Sequence, residues 1–177
     1  NKKLLEYLDE IISHKDHIES SWIKCLTYIP FGGLKGILHN KISDMKENKI
    51  NVFLSVSKEV GASKLKSLTI KENNYLSKII GVFLDNAKEA SIISKEKEVS
   101  VCVYMEEDNI IFEISNSFYG EVNLNSIYDN GYSSKGRNRG YGLSVVKTIV
   151  DENSIFKNET QIINNYFVQR LIVNKTK

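Results

Sequence analysis

Two runs rich in Val, Ile, Phe and Tyr, at 97–105 and 109–116, meet at the polar stretch Glu106 to Asn109. This pattern predicts a β-hairpin, and a hairpin is stable in water only when its apolar side is covered. The cover is encoded just upstream. Between Asn73 and Ile93, the residues Leu76, Ile79, Ile80, Phe83, Leu84, Ala87 and Ala90 recur at helical spacing and share one broad face. Asn73 or Asn74 is expected to cap this helix. A sheet backed by helices is the class these segments impose.

The flanking segments extend the scheme. Ile50, Val52, Leu54 and Val56 alternate with polar residues, predicting a half-buried strand. Two further strands are expected at about 154–162 and 166–173, turning at Asn164-Asn165. A helix is expected from about Gly140 to Asp151, with Leu143, Val146, Ile149 and Val150 inward. Upstream, Lys3 to Ile29, broken around His14 to His17, and then Leu34 to Met45 show helical periodicity, separated by Pro30 and the joint Gly32-Gly33. Each of these two helices has a narrow apolar face that needs a partner surface. The expected architecture is a two-layer α/β sandwich over 50–177, its mixed sheet covered on one face by helices, preceded by a helical segment at 1–49.

Composition narrows the function classes. The chain has 177 residues, of which 24 are basic and 22 acidic, and the basic residues form no stripe. No nucleic-acid footprint follows. Cys25 and Cys102 fit neither a zinc nor a redox spacing, and a reducing cytoplasm suits them. No run approaches the roughly 20 apolar residues of a membrane span. His14 and His17 lack a third metal ligand and read as solvated helix residues.

Chemistry concentrates in three places. Along the edge of the helix at 73–93 runs a stripe of Val82, Asn86 and Glu89, where a polar side chain can reach into a pocket beside the helix. The carbonyl oxygen of Asn86 is a hard ligand suited to Mg²⁺ when phosphates supply the remaining oxygens. A border asparagine by itself is more often a plain surface residue. Asn116 ends a strand, and Gly140-Tyr141-Gly142 opens a helix whose free amides and positive dipole end favour phosphate. Lys135, Arg137 and Arg139 stand just before it. The polar segment 117–138 is too long for a simple connection, and such loops are usually functional.

Leu84-Asp85-Asn86-Ala87-Lys88-Glu89-Ala90 resembles the asparagine box of the gyrase, histidine kinase and MutL ATPase superfamily. Ser133 to Ser144, including Lys135-Gly136-Arg137-Asn138-Arg139-Gly140-Tyr141-Gly142-Leu143, is similar to its second glycine box in the AgrC-type quorum-sensing form. Ile114-Ser115-Asn116-Ser117 sits where the first glycine box belongs. The resemblance implies a Bergerat-type ATP-binding fold. It implies that Asn86 coordinates Mg²⁺ and that amides around Gly136, Gly140, Tyr141, Gly142 and Leu143 cradle the phosphates of ATP. It further implies that Lys135 and Arg139 neutralise charge, Asn116 holds the adenine amino group, and 117–138 forms a lid.

Two departures matter. Asn116 stands where most of the superfamily has aspartate, so the contact loses charge assistance and weak nucleotide binding is expected. Val82 stands where gyrase-like and MutL-like ATPases carry a water-activating glutamate, and valine cannot accept a proton. That favours a kinase. Glu89 is expected either to order the metal's waters or help the acceptor's proton, or to be an ordinary solvated residue.

By the resemblance, a phospho-acceptor precedes an acidic residue, which neither His14 nor His17 does, and Gly33 to Ile42, with His39, looks like the end of the second dimerisation helix, so the acceptor is expected upstream of Asn1. Residues 1–49 then read as the remnant of a dimerisation stalk. The resemblance implies a cytoplasmic kinase domain of a membrane receptor, a parent homodimer through the N-terminal helices, and a response regulator as partner. A nucleotide-binding scaffold without transfer activity and a MutL-like stand-alone ATPase are the alternatives.

Overall fold

A computed structural model describes residues 21–30, 32–62, 68–128 and 141–174. In chain order these form α1 (Ser21–Cys25), a 3-10 turn (Leu26–Tyr28), α2 (Gly32–Glu47), β1 (Asn51–Val56) and α3 (Lys58–Ala62). There follow α4 (Ile70–Ile92), β2 (Glu98–Glu106), β3 (Asn109–Ser117), α5 (Gly142–Glu152), β4 (Phe156–Ile163) and β5 (Tyr166–Val173).

The five strands make one mixed sheet in the order β1-β2-β3-β5-β4. Only β1 and β2 run parallel, and the crossover that parallel pairing demands is supplied by α3 and α4. The other pairs are antiparallel. The expected hairpin is β2–β3, with Glu106 opposite Asn109. The β4–β5 hairpin turns at Asn164-Asn165, whose φ angles of 49° and 64° are both left-handed. That geometry matches the strand twist, and asparagine tolerates it better than most residues.

The core lies between the helices and one face of the sheet. Val99, Val101 and Val103 of β2, Ile110, Phe112 and Ile114 of β3, and Leu171 and Val173 of β5 meet Leu76, Ile79, Ile80, Phe83, Leu84 and Ala87 of α4. Seven residues were expected on the buried face of α4, and the last differs. Ala90 is only half-buried and Ser91 is buried in its place. The helix also begins earlier than expected. Thr69 is the cap, forming a reciprocal box with Glu72, and Asn73 lies inside the first turn. The short helix α3 had no counterpart in the expected scheme.

The second helix finds its partner surface within the chain. Leu34, Leu38, Ile42 and Met45 recur every three or four residues on α2 and are fully buried in the same core cluster. Two ion pairs flank this seam, Lys41 Nζ to Asp85 at 2.6 Å and Lys88 Nζ to Asp44 at 2.7 Å. The stretch expected as one helix to Ile29 is, where described, a short helix followed by a 3-10 turn that buries Trp22, Leu26 and Ile29. Among the described residues no helix is long and apolar enough to cross a membrane.

The opposite face of the sheet carries a polar row. Cys102, Glu113, Arg170 and Glu159 are successive cross-strand partners on β2, β3, β5 and β4. Arg170 pairs with Glu106 at 2.9 Å and with Glu159 at 3.3 Å, while its Nε stands 3.3 Å from Glu113 without an aligned hydrogen bond. Burial raises Glu113 above the usual carboxylate range against the pull of Arg170 and the Tyr104 hydroxyl. Burial also pushes the Cys102 thiol up to about 11, so it is not a reactive thiolate.

Candidate functional site

The site is organised around the middle of α4. Asn86 lies on this helix at the border between core and solvent, as its position in the stripe with Val82 and Glu89 predicts. Its Nδ2 is buried and makes no hydrogen bond among the described residues. An unpaired buried amide is uncommon, because desolvation is uncompensated at a cost of about 1–3 kcal/mol. Glu89, one turn further, is exposed.

Four residues before Asn86, Val82 touches the start of α5. A Cβ built on Gly142 would stand 3.0 Å from Val82 Cγ1, closer than side chains ordinarily pack. Glycine is therefore what lets α5 begin against α4. Five residues after Asn86, Ser91 Oγ donates to the carbonyl oxygens of Glu98 and, at 3.3 Å, Ser117. Ser94 Oγ bonds Ser117 Oγ at 2.7 Å, and Ser117 Oγ accepts from the Glu98 amide at 2.9 Å. These serines fasten the end of β3 to the end of α4. The two contacts lie nine residues apart, about 14 Å along a helix, and Asn86 falls between them.

Asn116 stands at that fastened strand end, buried to 2% exposure. Its Nδ2 donates to the Ser117 carbonyl at 2.9 Å. This bond fixes the sense of the amide, so Oδ1 is the atom left to accept from a ligand. Neither the serine fastening nor this orientation is visible in the spacing of the motifs. The serines are adjacent to recognisable boxes, but their contacts join residues 19 to 26 positions apart.

The start of α5 has no side-chain cap among the described residues. Tyr141 is its N-terminal cap residue, 61% exposed, and offers no side-chain hydrogen bond to the first turn, which has no acidic residue. The Tyr141 carbonyl accepts from Val145 N and Ser144 Oγ, as a helix start should. The first-turn amides, including those of Gly142 and Leu143, receive no side-chain cap from Tyr141, the condition that suits an anion. By contrast, the first turn of α4 is closed by Thr69 and Glu72. The Leu143 side chain packs on the core, as do Val146, Ile149 and Val150. Lys135, Gly136, Arg137, Arg139 and Gly140 lie outside the described residues, as does the lid segment beyond Tyr128.

The donor set bears on a metal. Among the described residues no group of three His, Cys, Asp or Glu could hold an ion. One amide side chain near a helix start that Tyr141 leaves uncapped fits Mg²⁺ of the kind that arrives with a polyphosphate and takes most of its oxygens from it.

A family model described as GHKL domain matches residues 72–174. Sensor protein CitS of Bacillus subtilis (strain 168) is 34% identical over 122 residues, covering 67% of this chain and 22% of that protein. Sensor protein CitS of Halalkalibacterium halodurans is 27% identical over 176 residues, covering 95% of this chain and 32% of that protein. The chain thus spans a third or less of these relatives. The catalytic domain of histidine kinase ThkA superposes with a TM-score of 0.62 at 15% identity, covering 81% of this chain and 91% of that one. Full-length ShkA in complex with AMPPNP gives a TM-score of 0.58 at 16% identity, over 82% of this chain and 30% of that one. With a motif order, a sheet topology and a family model in agreement, the chain belongs to the GHKL domain family and has the fold of a histidine kinase catalytic domain.

Proposed function

We propose that this chain is the ATP-binding catalytic domain of a sensor histidine kinase, which holds Mg-ATP and presents its γ-phosphate to a histidine for relay to a response regulator. The observation that carries this reading is the meeting of α4 and α5 at Val82 and Gly142, one turn from Asn86. It sets an uncapped helix start near a half-buried asparagine whose Nδ2 makes no hydrogen bond among the described residues. The CitS relatives are named sensor proteins, and ShkA was solved with an ATP analogue.

In this reading the α5 amides hold the phosphates, Asn86 supplies one oxygen to the metal, and Asn116 accepts from the adenine amino group through Oδ1. Lys135 and Arg139 neutralise phosphate charge, joined by backbone amides at Gly136 and Gly140. Mg²⁺, held by Asn86 and the phosphates, would supply the positive charge that screens the triphosphate. An imidazole nitrogen of the acceptor attacks the γ-phosphorus, the bond to the β–γ bridging oxygen breaks, and ADP leaves. The imidazole proton passes to a neighbouring base, for which Glu89 is one candidate.

Val82 occupies the position from which a water-activating carboxylate acts in MutL-like ATPases, and here its methyl groups pack on Gly142. Hydrolysis without an acceptor is therefore expected only at trace rates. Residues 1–49 are read as the end of a dimerisation stalk, in a cytoplasmic part of a membrane receptor. The quorum-sensing branch rests on the form of residues 133–144 alone, since the relatives above carry the name CitS.

Titration of Mg-ATP tests the reading. Binding at tens of micromolar or weaker is expected on an order-of-magnitude scale, lost without Mg²⁺. Radiolabelled ATP mixed with a histidine-bearing stalk should give acid-labile label. Absence of binding at millimolar Mg-ATP would sink the proposal, and binding without label would favour a nucleotide-binding scaffold.

A further inference from the structure

Strand β5 presents Phe167, Gln169 and Leu171 to the helix-covered face of the sheet, in register with Asn116, Ile114 and Phe112 of β3. The period-two pattern calls for an apolar residue at the middle position, and its neighbours there obey it. Gln169 does not. It is 1% exposed, and its Nε2 is buried with no hydrogen bond among the described residues.

The surroundings of Gln169 are polar on one side only. Across β4 its partner is Thr160, and the next residue on that face is Asn158. The Tyr128 hydroxyl bonds both Thr160 Oγ1 and Asn158 Nδ2, and Asn158 Oδ1 is also buried and unpaired. Tyr128 comes from the segment that leaves β3 after Asn116, so this cluster adjoins the path between the two glycine boxes. Asn116 pairs with Phe167, two residues before Gln169, and diagonal neighbours on one sheet face lie within about 7–8 Å. A core-facing Nε2 with no partner among the described residues, one register step from the proposed base contact, is placed to meet a ligand from below.

We propose that Gln169 is a base-contacting residue. Its Nε2–H donates to N1 of the adenine ring, while Asn116 Oδ1 accepts from the amino group beside it. The pair of amides then reads a donor and an acceptor on one purine edge. Hypoxanthine and guanine present N1–H and a carbonyl at these positions, so both contacts would oppose donor to donor and acceptor to acceptor. This inference rests on the ATP-binding reading above and adds a selectivity element to it.

The test compares Mg-ATP with Mg-1-deaza-ATP, in which a C–H replaces N1 alone, on the full chain and on Gln169→Leu. The wild type should bind the deaza analogue about tenfold more weakly than ATP, as expected for one removed hydrogen bond to a buried donor. Gln169→Leu should bind both nucleotides with the same, weakened affinity. Its melting temperature should equal or exceed that of the wild type, because the unpaired amide is gone. Gln169→Met is the substitute if Leu does not fold. Unchanged ATP affinity in the variant, or a deaza penalty that survives in it, would overturn the role of Gln169 and leave ATP binding intact. Failure of the wild type to bind ATP would instead overturn both.

Discussion

Val82 Cγ1 lies 3.0 Å from the point where a Cβ on Gly142 would stand, so two residues sixty positions apart fix how closely the two pocket helices approach. In a close-packed contact of this kind one added methyl is felt, since overpacking costs about 1–3 kcal/mol. Gly142→Ala should therefore lower thermal stability and weaken Mg-ATP binding severalfold. Val82→Ala frees the same space, and the double variant should recover most of both losses. A double-mutant cycle on melting temperature and affinity checks this; strictly additive effects would show that the two residues do not share the contact.

Asn86→Ala separates function from stability. Its Nδ2 has no partner among the described residues, so truncating the side chain takes no hydrogen bond from that atom. Folding stability should stay within about 0.5 kcal/mol of the wild type or rise. Mg-ATP affinity should fall by tenfold or more, a loss that calorimetric titration would detect. A large drop in melting temperature with affinity preserved would reverse this assignment.

The Asn116 bond gives a less intuitive outcome for Asn116→Asp, which restores the residue common in the superfamily. Here Nδ2 donates to the Ser117 carbonyl. A carboxylate would set two oxygens against each other and lose that bond, a destabilisation of about 1–3 kcal/mol. The variant should thus be less stable at neutral pH than at acid pH, where the carboxyl is protonated and can donate again. Thermal melts at both pH values provide the comparison, and a variant more stable at neutral pH would contradict it.

Glu113 should leave a mark on the pH dependence of folding. Its pKa is raised from 4.5, chiefly by burial, so the folded state holds this proton where the unfolded chain has released it. Stability from this residue is complete below the unfolded value and declines as pH rises through the folded one. Glu159 runs the other way. Its hydrogen bond to Lys157 is the main cause of a lowered pKa, and its contribution fades as pH falls. Glu113→Gln should flatten the decline above 4.5 in a urea-melt series, while leaving the acid limb in place.

Much of the architecture was readable because it depends on local periodicity. The strand pairs, the Asn164-Asn165 turn and the span of α4 follow from alternation, turn chemistry and helical spacing. Thr69-x-x-Glu72 was also legible as a capping box, yet the nearer Asn73 and Asn74 drew the boundary inward. What periodicity cannot reveal is a polar residue buried by distant partners. Ser91, Glu113 and Gln169 read as surface by type and are buried in the fold. For each, part of the cover lies far along the chain, Ser117 for Ser91, Arg170 for Glu113 and Ile114 for Gln169, and no short window of sequence contains such a pair. The asparagine and glycine boxes were found as motifs, but their convergence depends on where α5 crosses α4.

The seam between α2 and α4 has a mechanical side. Asp85 and Lys88 are clasped by Lys41 and Asp44 of α2, and Asn86 lies between the two clasped positions. The ion pairs are half-open to water and each contributes at most about 1 kcal/mol, but Leu38, Ile42 and Met45 are locked into the same interface. Residue 86 is therefore held to α2 from both sides, by the Lys41–Asp85 pair before it and the Asp44–Lys88 pair after it, so a displacement of α2 relative to α4 would have to break this seam.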